Sequence, residues 1–179
     1  MNKIKNDTYY MNYALKLSTI ANCIKGKVGA ILVKDNEIIA EGVNSVPNGI
    51  TPCTEETCIR KKLNLKSGEN QELCFVVHAE QNSLIDALNS KIDVKGSTLY
   101  VTKQPCIICA KMLINAGIKK IIYLKAYPDK YSEILLKEAG FEKLEFHTAW
   151  GLTGGKSYYM IHHGTTLIAF TIPKTLYYR

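Results

Sequence analysis

His78-Ala79-Glu80 and, downstream, Pro105-Cys106-Ile107-Ile108-Cys109 decide how this chain is read. A neutral imidazole and two thiolates are good zinc ligands. Three protein ligands leave one tetrahedral position open for water, as in a catalytic site. His78, Cys106 and Cys109 meet that requirement. The two-residue gap between the cysteines lets both sulfurs reach one ion at a helix start, and Pro105 suits a helix entry because it has no N–H to satisfy. Glu80 need not be a ligand. It is placed to take a proton from metal-activated water, whose pKa falls from about 15.7 toward about 7. A lone Cys-x-x-Cys also serves redox pairs and structural zinc sites, and a lone histidine is more often a satisfied core residue. The combination of His-x-Glu with Pro-Cys-x-x-Cys, in a strand-then-helix setting, selects the open zinc site.

Outward from these motifs, the 24 residues between Glu80 and Pro105 leave room for a helix, a loop and a strand. Apolar periodicity predicts helices over residues 7–22, 78–88, 106–116 and 132–139, the last two stopped at Gly117 and Gly140. Strands are expected over residues 28–33, 37–40, 97–102, 120–124 and 142–146. Helices alternating with strands imply a layered α/β domain. Residues 44–73 are long, polar and irregular, and a loop of that length calls for a function or a metal clip. Beyond the turn-rich Trp150-Gly151-Leu152-Thr153-Gly154-Gly155, residues 157–162 and 165–172 read as a hairpin around His163-Gly164. The expected division is a zinc-site domain over residues 1–146 and an extension over 147–179 packed on the same domain.

The composition, 46% hydrophobic and 22% charged, is that of a globular protein and argues against disorder. No apolar run reaches the roughly 18 residues of a membrane span, and no apolar signal core follows the N-terminal lysines, so a cytoplasmic protein with no membrane partner is expected. The formal charge of +7 favours anionic ligands, although scattered lysines are also what a solvated surface looks like. Six cysteines without a secretory signal point to metal binding ahead of disulfides. His147, His162 and His163 read as surface or structural histidines.

The pattern H-x-E…P-C-x-x-C is the signature of zinc-dependent base deaminases. From Tyr9 to about Phe146 the chain resembles deoxycytidylate deaminases of the cytidine deaminase-like superfamily. The resemblance is carried by Val28-Gly29-Ala30-Ile31-Leu32-Val33, Gly42-Val43-Asn44-Ser45-Val46-Pro47-Asn48-Gly49, His78 through Asn82, Leu99-Tyr100-Val101-Thr102, Pro105 through Ala110, and Ala116-Gly117-Ile118. It implies a three-layer α/β/α sandwich around a mostly five-stranded mixed sheet. It also implies hydrolysis of dCMP to dUMP and ammonia for thymidylate synthesis, homo-oligomers (hexamer or dimer), activation by dCTP with Mg2+ and inhibition by dTTP. By the same resemblance Asn44 contacts the sugar hydroxyl or phosphate, where the residue-level alternative is a turn asparagine. Ser45 stands where the family usually has glycine. Lys27 stands where the family often has arginine, and it can meet phosphate only as a point charge. The main chain at Ala79 and Thr102 is expected to hold the pyrimidine edge, and Tyr127 to lie against the nucleotide; a surface lysine and a rim tyrosine are the plainer readings of Lys27 and Tyr127.

Cys23, Cys53, Cys58 and Cys74 flank the long insert. Some bacterial members of the family bind a second, structural zinc at matching cysteines, and four thiolates would make a closed site able to fasten a polar loop. Free cysteines are the alternative, and one of the four could be a bystander. Two rivals stay open. A nucleic-acid deaminase, such as one acting on tRNA adenosine, would use the basic charge and Tyr158, Tyr159, Tyr177 and Tyr178 for stacking; the Asn44 segment and the cysteine-rich insert favour a mononucleotide. A non-catalytic nucleotide-sensing or DNA-uptake module would have no need for an intact His78, Glu80, Cys106 and Cys109.

Overall fold

In Gly-Ala-Ile-Leu-Val-Lys, strand β1 (Gly29–Lys34), successive side chains point to opposite faces, and both faces are buried. Ile31 and Val33 enter one core with Tyr100 and Ile122, while Ala30 and Leu32 enter another with Leu99, Val101, Ile121 and Tyr123. A strand apolar on both sides needs cover on both sides, and this dictates a layered architecture. The structure is a computed structural model that describes residues 6–141, 146–149, 157–163 and 166–172.

The sheet holding β1 has four strands in the order β2-β1-β3-β4. Here β2 is Glu37–Val43, β3 is Thr98–Val101 and β4 is Lys120–Tyr123. β1 runs antiparallel to β2 and β3, and β4 runs parallel to β3. Asp35 and Asn36, at φ 51° and 64°, close the β1–β2 turn in the left-handed conformation a two-residue hairpin favours. Among the described residues five helices accompany the sheet: α1 (Asp7–Ser18), α2 (Ile59–Lys62), α3 (Ala79–Asn89), α4 (Ile107–Asn115) and α5 (Lys130–Glu138). α1, capped by Asn6 Oδ1 accepting from the Tyr9 amide (3.0 Å), covers one face with Tyr10, Met11 and Ala14. α3, α4 and α5 bring Ala79, Ala87, Ala110, Leu113 and Leu136 to the other. The approach of α3 to β2 is close: a Cβ on Gly42 would lie 2.2 Å from the Ala79 carbonyl oxygen and 2.4 Å from the Ser83 amide nitrogen. Only glycine admits this contact, and it sets the height at which α3 begins.

The sheet differs from the five strands expected. Of the fifth strand anticipated at residues 142–146, residues 142–145 lie outside the described residues. Phe146 opens β5 (Phe146–Ala149), which pairs with β6 (Ser157–His163) and not with β4. β6 and β7 (Thr166–Ile172) form the expected antiparallel hairpin, with His163 opposite Thr166, and its free edge supplies the hydrogen-bonding partner for β5. The result is a second, three-stranded sheet in the order β5-β6-β7.

Residues 44–73 are not structureless. They contain α2, a single 3-10 turn (Gln71–Leu73), and a Ser45–Val77 bridge that pins the insert beside α3. Among the described residues no helix is long and apolar enough to cross a membrane.

Candidate metal centre and its cleft

The zinc motif sits where two helices begin. His78 is the residue before α3, and its amide donates to Gln81 Oε1 at 2.9 Å, which fixes the first turn. Cys106 precedes α4, and Cys109 lies one turn inside it. Asp129 Oδ2 accepts from the Ile107 amide at 2.7 Å, and Ser132 Oγ donates to the Pro105 carbonyl at 2.7 Å, so α5 braces the entry of α4. The positive ends of both helix dipoles thus converge, a setting that favours thiolates.

His78 Nδ1 stands 3.4 Å from Cys106 Sγ and 3.4 Å from Cys109 Sγ. All three donor atoms lie within 4.8 Å of one another, and among the described residues this is the one such group of three. The geometry fits zinc. Tetrahedral bonds of about 2.0–2.1 Å to nitrogen and about 2.3 Å to sulfur separate the two donors by about 3.5 Å. A hydrogen bond from Cys109 pulls the Cys106 thiol down to about 4 against the effect of its burial, while Cys109, as the donor, is pushed up. Burial lowers His78, but its contacts with Cys106 and Glu80 outweigh that and leave it raised.

Glu80, in the first turn of α3, is 5% exposed. Burial raises its carboxyl above the ordinary range, against the opposing pull of His78. It stands with His78 and Cys106 at a cleft of about 580 Å³. Lys25, Lys27, Arg60, Lys103 and Lys125 also line this cleft, and Glu80 is the one acidic residue in its lining.

The remaining expected residues divide. Ala79 and Thr102 line the cleft. Ala79 opens α3, so its N–H has no intrahelical acceptor. The Thr102 amide and hydroxyl are both engaged by Gly29, at 3.0 and 3.2 Å. Asn44 also lines the cleft, but its side chain braces a loop: Oδ1 accepts from the Val28 amide (2.7 Å) and Nδ2 donates to the Gly26 carbonyl (2.8 Å). Lys27 Nζ donates to the Thr19 carbonyl at 2.7 Å. The Tyr127 hydroxyl accepts from the Gly68 amide (2.7 Å) and from Gln71 Nε2, tying the insert to the cleft wall, while Lys103 Nζ lies 4.4 Å from its ring centroid. All six cysteines are free thiols. Cys53 is raised by burial and then by neighbouring Cys58, Cys74 and Cys23, but the four sulfurs do not form a group within 4.8 Å as the first site does.

Sequence reasoning missed Arg60, Lys103 and Gln104. Lys103 and Gln104 stand between β3 and Pro105, at the carboxyl end of a strand, where open α/β sheets bind ligands; that position was the available signal. Arg60 offered only its rarity, since the sequence has no other arginine before Arg179.

The chain is similar to known proteins. Residues 4–125 match the cytidine and deoxycytidylate deaminase zinc-binding region. The deoxycytidylate deaminase of Schizosaccharomyces pombe is 33% identical over 141 residues, 78% of this chain, which spans only 44% of the yeast protein's length. That of Mycobacterium phage D29 is 33% identical over 124 residues, covering 66% of this chain and 94% of the phage protein. The crystal structure of the dCMP deaminase of cyanophage S-TIM5 in complex with dCMP and dUMP superposes with a TM-score of 0.63 at 34% identity, over 77% of this chain and 94% of that one. With His78, Cys106 and Cys109 gathered at two helix starts, Glu80 buried beside them and the match running through both motifs, this chain belongs to the zinc-binding cytidine and deoxycytidylate deaminase family.

Proposed function

We propose that this protein hydrolyses dCMP to dUMP and ammonia, supplying dUMP for thymidylate synthesis. The observation that carries the reading is the make-up of the cleft: a His-Cys-Cys centre with a buried carboxylate at one end, and five cations in the lining. Such a cleft suits a ligand that joins an aminated base to an anion. The related cyanophage enzyme, which binds dCMP and dUMP, supports the same substrate class.

His78, Cys106 and Cys109 would hold the zinc, and a zinc ion so held brings the pKa of water down toward about 7. The chain's own chemistry falls to Glu80. Its carboxylate takes a proton from the attacking water and passes it to N3 of the cytosine ring, then takes the remaining proton from the new 4-hydroxyl and gives it to the departing 4-amino group. Water adds at C4, the C4–N bond breaks, and ammonia leaves. Burial, which raises the carboxyl, suits a group that must both accept and release a proton near neutrality. A second, structural zinc held by Cys23, Cys53, Cys58 and Cys74, fastening the insert, belongs to the same reading on the strength of the resemblance. Regulation by dCTP with Mg2+ and by dTTP, homo-oligomerisation, and the division into residues 1–146 and 147–179 belong to the same proposal on the strength of the resemblance.

The test is ammonia release by zinc-loaded protein from dCMP, CMP, deoxycytidine and tRNA, with and without dCTP and Mg2+. The expected order puts dCMP first. Turnover confined to tRNA would overturn the reading.

A further inference from the structure

Arg60 is 6% exposed, yet no carboxylate among the described residues lies within ion-pair distance of it. Its Nη1 donates to the carbonyls of Glu69 (2.5 Å) and Asn70 (3.1 Å), and Nη2 donates to that of Lys66 (2.6 Å). A guanidinium has five N–H donors, so Nε–H and the second Nη2 N–H remain. The carbonyls satisfy hydrogen bonds but do not neutralise the charge. A buried cation without a counter-charge is costly to maintain, and its neighbours in the cleft lining, Lys25, Lys27, Lys103 and Lys125, have the same sign.

The residues that the family resemblance puts forward for phosphate each also hold a main-chain partner. Lys27 Nζ is on the Thr19 carbonyl, and the Asn44 amide is on Val28 and Gly26. Lys25 Nζ is on the Leu65 carbonyl. Of the five cations in the cleft lining Arg60 is the buried one, it keeps two N–H donors, and an arginine fork matches two phosphate oxygens where an ammonium meets one.

We propose that Arg60 is a specificity-determining residue: its remaining N–H groups pair with the phosphate of the substrate and set the preference for the nucleotide over the nucleoside. This rests on the dCMP reading above. The same side chain, by holding the carbonyls of Lys66, Glu69 and Asn70, builds the wall against which Tyr127 closes. Phosphate binding and the shape of the insert are thereby joined at one guanidinium.

The test compares zinc-loaded wild type, Arg60→Gln and Arg60→Lys for kcat/KM on dCMP and on deoxycytidine. In parallel, the rise in Tm on adding inorganic phosphate is measured for each. In Arg60→Gln the preference for dCMP over deoxycytidine is expected to fall on the order of 100-fold, chiefly through KM, and the phosphate-induced rise in Tm to vanish. Arg60→Lys, which keeps the charge and loses the fork, is expected to fall between. Equal losses on both substrates with the Tm response retained would mean that Arg60 only braces the insert, and would overturn the assignment, as would an unchanged preference. Should Arg60→Gln not fold, Arg60→Lys decides on the same ratio. If wild type turns over neither compound, the dCMP reading fails. The phosphate response alone then judges Arg60: its loss in the variant upholds an anion site, and its absence in wild type or persistence in the variant rejects it.

Discussion

Two buried sulfurs at 3.4 Å from one imidazole nitrogen must share either a proton or a cation. The contacts among Cys106, Cys109 and His78 pull the Cys106 thiol down and push the Cys109 thiol up. His78, Cys106 and Cys109 would hold zinc between the starts of α3 and α4, so its removal would remove a cross-link as well as a cofactor. Chelation is expected to abolish turnover and to lower Tm by several degrees, both restored by added zinc; an unchanged Tm would separate the site from the stability of the fold. Glu80 belongs to a different class, since it donates no ligand atom to the group of three. Glu80→Ala is expected to retain zinc by metal analysis while losing roughly 10²- to 10⁴-fold in kcat, the usual worth of a proton-transfer group. Loss of zinc together with activity would make Glu80 a ligand.

At the scale of elements, the position of Glu80 depends on how deeply α3 settles onto β2, and Gly42 sets that depth. A methyl group at Gly42 would meet backbone, the Ala79 carbonyl at 2.2 Å and the Ser83 amide at 2.4 Å, so no side chain can turn aside to relieve it. Gly42→Ala is expected to cost about 3 kcal/mol in chemical denaturation, and because the displaced segment begins at Ala79 it is expected to weaken zinc retention too. A variant of wild-type stability would show that α3 has slack. This is also the scale at which the sequence was most legible. The alternation of Ala30, Ile31, Leu32 and Val33 and the helical entry at Pro105-Cys106 are local patterns, and the structure has both. What escaped were commitments between distant residues. Asn44 reads as a ligand contact from the resemblance, and the fold also sets its amide to brace Gly26 and Val28; the strand expected over residues 142–146 meets the described residues only at Phe146, which opens β5 and pairs with β6 rather than with the main sheet. Neither fact has a local signature, because each depends on which backbone groups the finished fold leaves within reach.

For the whole molecule, the formal charge of +7 spread over scattered lysines gave no direction in the sequence, and a solvated surface was the plainer expectation. Folding makes the charge specific. Lys25 and Lys27 come from the segment before β1, Arg60 from α2, Lys103 from the end of β3 and Lys125 from just past β4, and all reach one cleft. A cleft whose lining carries five cations against one acidic residue draws an anionic ligand by its field, and that field is cut by salt with a Debye length of about 10 Å at 0.1 M and about 3 Å at 1 M. Raising ionic strength from about 0.05 to about 0.5 M with a non-coordinating salt is therefore expected to raise KM for dCMP several-fold while leaving kcat nearly constant. The control is deoxycytidine, which has the same base and sugar and no phosphate, so its KM is expected to move little. Because the comparison is made within one protein, salt effects on stability and on zinc retention cancel between the two substrates. Parallel changes in both KM values would mean that the cations serve the fold, and that the base alone is recognised.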